Sequence, residues 1–99
     1  MSNNTKTPSW LSIAADSVTV TLSKPSEANG VQVDRLALRA PTVRDLRAAQ
    51  HTGLDDEQRE LNLFASLAEV GAKDLEGLTL KDYSRLQAGY FRLVQDDEL

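Results

Sequence analysis

From Ser17 to Lys24 the chain alternates: Val18, Val20 and Leu22 on one side, Thr19, Thr21 and Ser23 on the other. A period of two with one apolar side predicts an antiparallel strand buried on a single face. Pro25 to Gly30 is turn chemistry, and Asn29-Gly30 suits positive φ. A second strand is predicted over about Val31 to Arg39. Its apolar parity changes, because Val31 and Val33 are odd whereas Leu36 and Leu38 are even. A regular strand cannot place both pairs on one face, so a bulge or twist is expected near Asp34-Arg35. Two strands alone are marginal in water, and helices must cover their apolar side.

At Pro41 the period changes. Proline cannot donate to a strand ladder and biases Ala40 towards extended backbone, so the strand should end there. Thr42 and Asp45 then stand at capping-box spacing. The first helix is predicted over about Val43 to Gln50, with Val43, Leu46 and Ala49 or Gln50 inward and Thr52-Gly53 ending it. His51, the only histidine, falls at that helix end. A second helix starts at Asp55 or Asp56 and runs to about Val70, closed by Gly71, with Leu61, Phe64, Leu67, Ala68 and marginally Leu63 inward. Lys73 to Gly77 reads as a short irregular turn. Thr79 and Asp82 repeat the Thr-x-x-Asp cap before a third helix, roughly Leu80 to Gln95, which carries Leu80, Tyr83, Leu86, Tyr90, Phe91 and Val94 on one side. The expected fold is α+β: an N-terminal antiparallel β-hairpin followed by three helices packed on it. Residues 1–16 read as a flexible extension, 17–95 as a single domain and 96–99 as a frayed acidic tail.

Composition narrows the chemistry. Ninety-nine residues make one small domain, and the absence of cysteine removes disulfides, thiolate metal sites and thiol nucleophiles. No charged-then-apolar leader and no apolar run near the ~20 residues that span a bilayer occur, so a cytoplasmic protein is expected. The net charge of −4 is uneven. Residues 1–54 carry six basic and four acidic side chains, whereas residues 55–99 carry five and eleven. Asp55, Asp56, Glu57 and Glu60 crowd the start of the second helix, but calcium-loop spacing and its glycine are missing; dipole compensation explains them. No phosphate-cradling loop, zinc spacing or nucleophile–base pair is present, and no enzymatic activity, metal or cofactor is expected. The segment from Leu46 to Phe64 has a helix–turn–helix rhythm, yet its would-be recognition helix opens with Asp55, Asp56 and Glu57, which phosphates repel.

A hairpin leading into Leu-x-Leu-Arg-x-Pro-Thr-x-x-Asp-Leu (Leu36 to Leu46), an acidic helix, and Leu-Thr-Leu-x-Asp-Tyr (Leu78 to Tyr83) together resemble the tail assembly chaperones of Mu-like and P2-like phages. The resemblance spans about residues 17–95. It implies a non-catalytic protein of the host cytoplasm, absent from the finished virion, that coats the largely helical tape-measure protein, keeps it soluble and helps tail-tube subunits assemble. It also implies a longer frameshifted form in many members. The matching positions, Pro41, Thr42, Asp45, Leu78, Thr79, Asp82 and Tyr83, transfer only as fold-defining residues. The residues themselves offer Tyr90 and Phe91, with Trp10, as the client-contacting side chains, since so small a core does not bury every ring. The hairpin edge leaves self-association by strand pairing open. The alternatives are a structural tail or head-completion subunit and, behind it, a DNA-binding helix–turn–helix; no nucleic acid or membrane partner is expected.

Overall fold

The computed structural model describes residues 7–52 and 55–95, an α+β fold of one antiparallel sheet followed by helices. The expected ends of the first helix at Thr52-Gly53 and the acidic tail at 96–99 lie wholly or partly outside the described residues.

The sheet has three strands rather than two, in the order β1 (Leu11–Ile13), β2 (Ser17–Ala28), β3 (Val31–Arg39). The extension assigned to residues 1–16 therefore contributes a strand: Leu11 pairs with Val20 and Ile13 with Val18. Only Leu11 of this strand is buried, and that single contact with the core, in so short a run, is why alternation did not reveal it.

β2 continues through the predicted turn to Ala28. The reversal is confined to Asn29 (φ 55°) and Gly30 (φ 80°), a two-residue loop with both central residues at positive φ. The predicted irregularity is present opposite Asp34, but its extra residues sit on β2. Thr21 pairs with Arg35 and Ser26 with Val33, so Leu22 to Pro25 face Asp34 alone. Pro25 is tolerated inside the strand because it falls in this unpaired stretch, where its missing N–H costs no ladder bond.

Among the described residues four helices follow, not three: α1 (Val43–Gln50), α2 (Asp56–Ala68), α3 (Ala72–Glu76) and α4 (Leu80–Val94). α3 replaces the irregular turn expected at Lys73 to Gly77; it buries Leu75, and Gly71 N–H donates to Asp74 Oδ2 at 3.0 Å. α2 ends earlier than expected, at Glu69, whose φ of 60° supplies the left-handed cap assigned to Gly71. Asn29 reaches this corner, its backbone N–H donating to Asp74 Oδ2 and its Nδ2 to the Glu69 carbonyl.

The core lies on one face of the sheet. Val18, Val20, Leu22, Leu36 and Leu38 meet Phe64 and Leu67 of α2 and Leu86 of α4. α4 lies chiefly over β2 and α2 over β3. α4 turns Asp82, Leu86 and Gly89 inward, so Leu80, Phe91 and Val94 of the predicted inner side are exposed instead. A Cβ at Gly89 would stand 3.1 Å from a Val20 methyl, so the absence of a side chain sets how closely α4 approaches the sheet. α1 likewise buries only Ala49; Val43 and Leu46, expected inward, are exposed.

Candidate functional site

The first matching motif is a strand-to-helix clamp. Asp45 N–H donates to Thr42 Oγ1 at 3.2 Å, and Thr42 N–H donates back to Asp45 Oδ2 at 2.8 Å, a complete capping box. Arg39, at the end of β3, grips the same carboxylate through both terminal nitrogens at 2.8 and 3.0 Å. The Arg39 hydrogen bonds hold the Asp45 carboxyl well below the usual carboxylate range, with the Thr42 backbone N–H contributing.

The second motif does something its spelling does not predict. Thr79 Oγ1 accepts from Asp82 N–H, as a cap should, but the Asp82 carboxylate turns to the sheet and accepts from Ser23 N–H at 2.8 Å. It is the one fully buried charged side chain among the described residues. Burial alone would raise its pKa; hydrogen bonds from Ser23 and from the Lys24 backbone, with the Arg85 charge, outweigh that and lower it. Asp82 thus fastens α4 to the unpaired stretch of β2. Of the other motif residues, Pro41 is half-buried before α1 and Leu78 half-buried against the core.

Two adjoining hollows lie on the helical side. One, of about 580 Å³, runs between α1 and α4 over α2, with Leu46, Ala49, Leu63, Phe64 and Tyr90 as its apolar lining. The other, of about 500 Å³, lies between the first half of α2 and the start of α4, around Leu61, Leu80 and Tyr83. Glu60 borders both, its Oε1 accepting from the Tyr83 hydroxyl at 2.9 Å and from Gln87 Nε2 at 3.0 Å. Partial burial, then the Glu60 hydrogen bond and the Glu60 and Glu57 charges, push the Tyr83 hydroxyl above its ordinary pKa, so it remains a donor.

Of the three expected client-contacting residues, Tyr90 lines the first hollow, and Phe91, next to it in sequence, lines neither. Tyr90 is half-buried, its ring 5.1 Å from that of Phe64, and Phe91 beside it is 61% exposed. Trp10 is elsewhere: the Arg85 guanidinium lies 5.2 Å from its ring centre, and Arg85 also donates to the Thr21 carbonyl. Arg85 projects about 140° round α4 from Tyr90, so the tryptophan sits on the β1–β2 side of that helix. Leu46 and Leu80 belong to the hollows and were assigned to the core by their spacing. Periodicity identifies an apolar face but not whether a neighbouring element reaches it.

Beyond the geometry, a family model described as phage tail assembly chaperone proteins, E, or 41 or 14, matches residues 19–95. No curated protein and no solved structure matches the chain.

Proposed function

The chain belongs to the phage tail assembly chaperone family, and on that premise we propose that it binds the tape-measure protein, keeps it soluble in the cytoplasm of the bacterial host, and releases it as tail-tube subunits assemble. In this reading it works by binding alone, without catalysis, and leaves before the virion is finished.

The observation that carries the reading is the apolar surface on the helical side. Val43 is 75%, Leu46 45%, Phe91 61% and Val94 47% exposed, an excess of large apolar side chains for a single small domain. Of these, Leu46 lines a groove floored by Phe64 and Leu63, the setting in which an amphipathic helix buries its apolar face.

The test is co-expression of the tagged chain with the tape-measure gene of the same tail cluster. A client that is insoluble alone should become soluble and co-purify. No capture and no rescue removes the reading. Recovery of the chain from purified particles would replace it with a structural tail or head-completion subunit.

A further inference from the structure

Charge is distributed unevenly around the two hollows. The described residues lining them include the carboxylates of Asp55, Asp56, Glu57, Glu60 and Glu76 against one guanidinium, Arg59. Arg59 Nη1 is already held by Asp56 Oδ1 at 2.8 Å. The positive end of the α2 dipole offsets Asp55, Asp56 and Glu57 in part. Glu60 stands a turn further in, and Glu76 closes α3, where the dipole end is negative. Between these carboxylates runs a row of apolar side chains, Leu46, Tyr90, Tyr83, Leu61 and Leu80, crossed where the hollows meet by the hydrogen bonds of Tyr83 and Gln87 to Glu60. Leu80 is 85% exposed in the midst of them.

An apolar floor beside a one-signed wall specifies its occupant more narrowly than apolarity does. We propose that the two hollows form one docking groove for an amphipathic helix whose leucine-type face is flanked by lysine or arginine. An acidic helix of equal apolarity is repelled. The inference rests on the tape-measure reading and gives the chemistry of the client segment. The apolar strip supplies the affinity, and the α2 and α3 carboxylates select register and sign, with a contribution that salt weakens.

Two fluorescein-labelled peptides of about 20 residues, long enough for helix to form, probe this by anisotropy. They share one leucine face, and the face is flanked by lysine in one and by glutamate in the other. The full chain should bind the lysine peptide at least about tenfold more tightly, the worth of two rim ion pairs. E57Q/E76Q should erase most of that preference while melting as the parent does, because both side chains are exposed. Leu46→Ser should weaken both peptides. Equal binding of the two peptides, binding of neither, or an unchanged preference in E57Q/E76Q overturns the proposal. So does a concentration-dependent dimer abolished by Leu46→Ser, which would assign the groove to a second copy. The same E57Q/E76Q chain in the tape-measure co-expression separates the two readings. Capture at parental level there, with the preference lost on peptides, retains the client and removes this groove as its site.

Discussion

Asp82 ties the helical layer to the irregular part of β2, and what it satisfies is a backbone N–H that no strand partner reaches. Asp82→Ala leaves the Ser23 N–H without its acceptor and should cost about 2–3 kcal/mol in chemical denaturation, the range for a hydrogen bond to a buried charge. Asp82→Asn keeps the shape and should cost less. The pH dependence follows from the direction of the shift. The folded state binds the Asp82 proton less tightly than the unfolded chain, so its stabilisation is present above the unfolded value near 3.9 and fades as pH falls through the lower folded value. Asp45 acts with the same sign. Stability should therefore drop as pH is lowered below about 4, and the drop should be shallower in Asp82→Asn; thermal melts from pH 7 to pH 2.5 check both. The Thr42–Asp45 box was legible because both partners are local, three residues apart in one turn. The Asp82–Ser23 bond was not, because its partners are 59 residues apart and meet only after the helix docks.

Among the elements, α4 and β2 show what close approach demands. Gly89 faces Val20 at 3.1 Å and Val18 and Leu11 at 3.4 Å, counting from the Cβ it lacks. Gly89→Leu should destabilise by about 2–3 kcal/mol or more through overpacking. Gly89→Ala should be nearly neutral, because better helix propensity offsets a contact that a few tenths of an ångström would relieve. A denaturant series on the two variants distinguishes a packing role from a general dislike of substitution. Thr42→Ala should cost about 1 kcal/mol by loss of the α1 cap. The bounds of α1 followed from caps and spacing, whereas α2 stopped at Glu69 rather than Gly71 and α3 took the place of an expected turn. The rotation of each helix about its own axis did not follow: α4 turned Asp82, Leu86 and Gly89 inward, leaving Phe91 and Leu80 outside.

For the whole molecule, the relevant quantity is how much apolar surface the domain leaves uncovered. Phe91→Ser should change stability by less than about 1 kcal/mol, since its side chain is largely exposed, and Leu46→Ser, at a half-covered side chain, by about 1 kcal/mol. Both should reduce client capture in the co-expression assay. Tyr90→Ser should instead lower stability as well, because its ring packs at a tilt against the buried Phe64. Unaltered capture in Leu46→Ser would move the binding surface away from the groove, and unaltered capture in Phe91→Ser would remove the outer side of α4 from it.

The sequence by itself determined the class of fold, the positive φ at Asn29-Gly30, the change of period at Pro41 and the caps at Thr42 and Thr79. Each is written in neighbouring residues and needs no distant partner. Tertiary structure alone decided that Leu11 adds a third strand, that Asp82 serves the sheet rather than its own helix, and that Leu46, Leu80 and Phe91 face outward. A strand of three residues has too little pattern to announce itself, and a polar side chain's partner is fixed by whatever backbone lies unpaired nearby once the layers pack. Amphipathic spacing marks more surface as apolar than a chain of this size can enclose, and only docking selects which part of it is left for a partner.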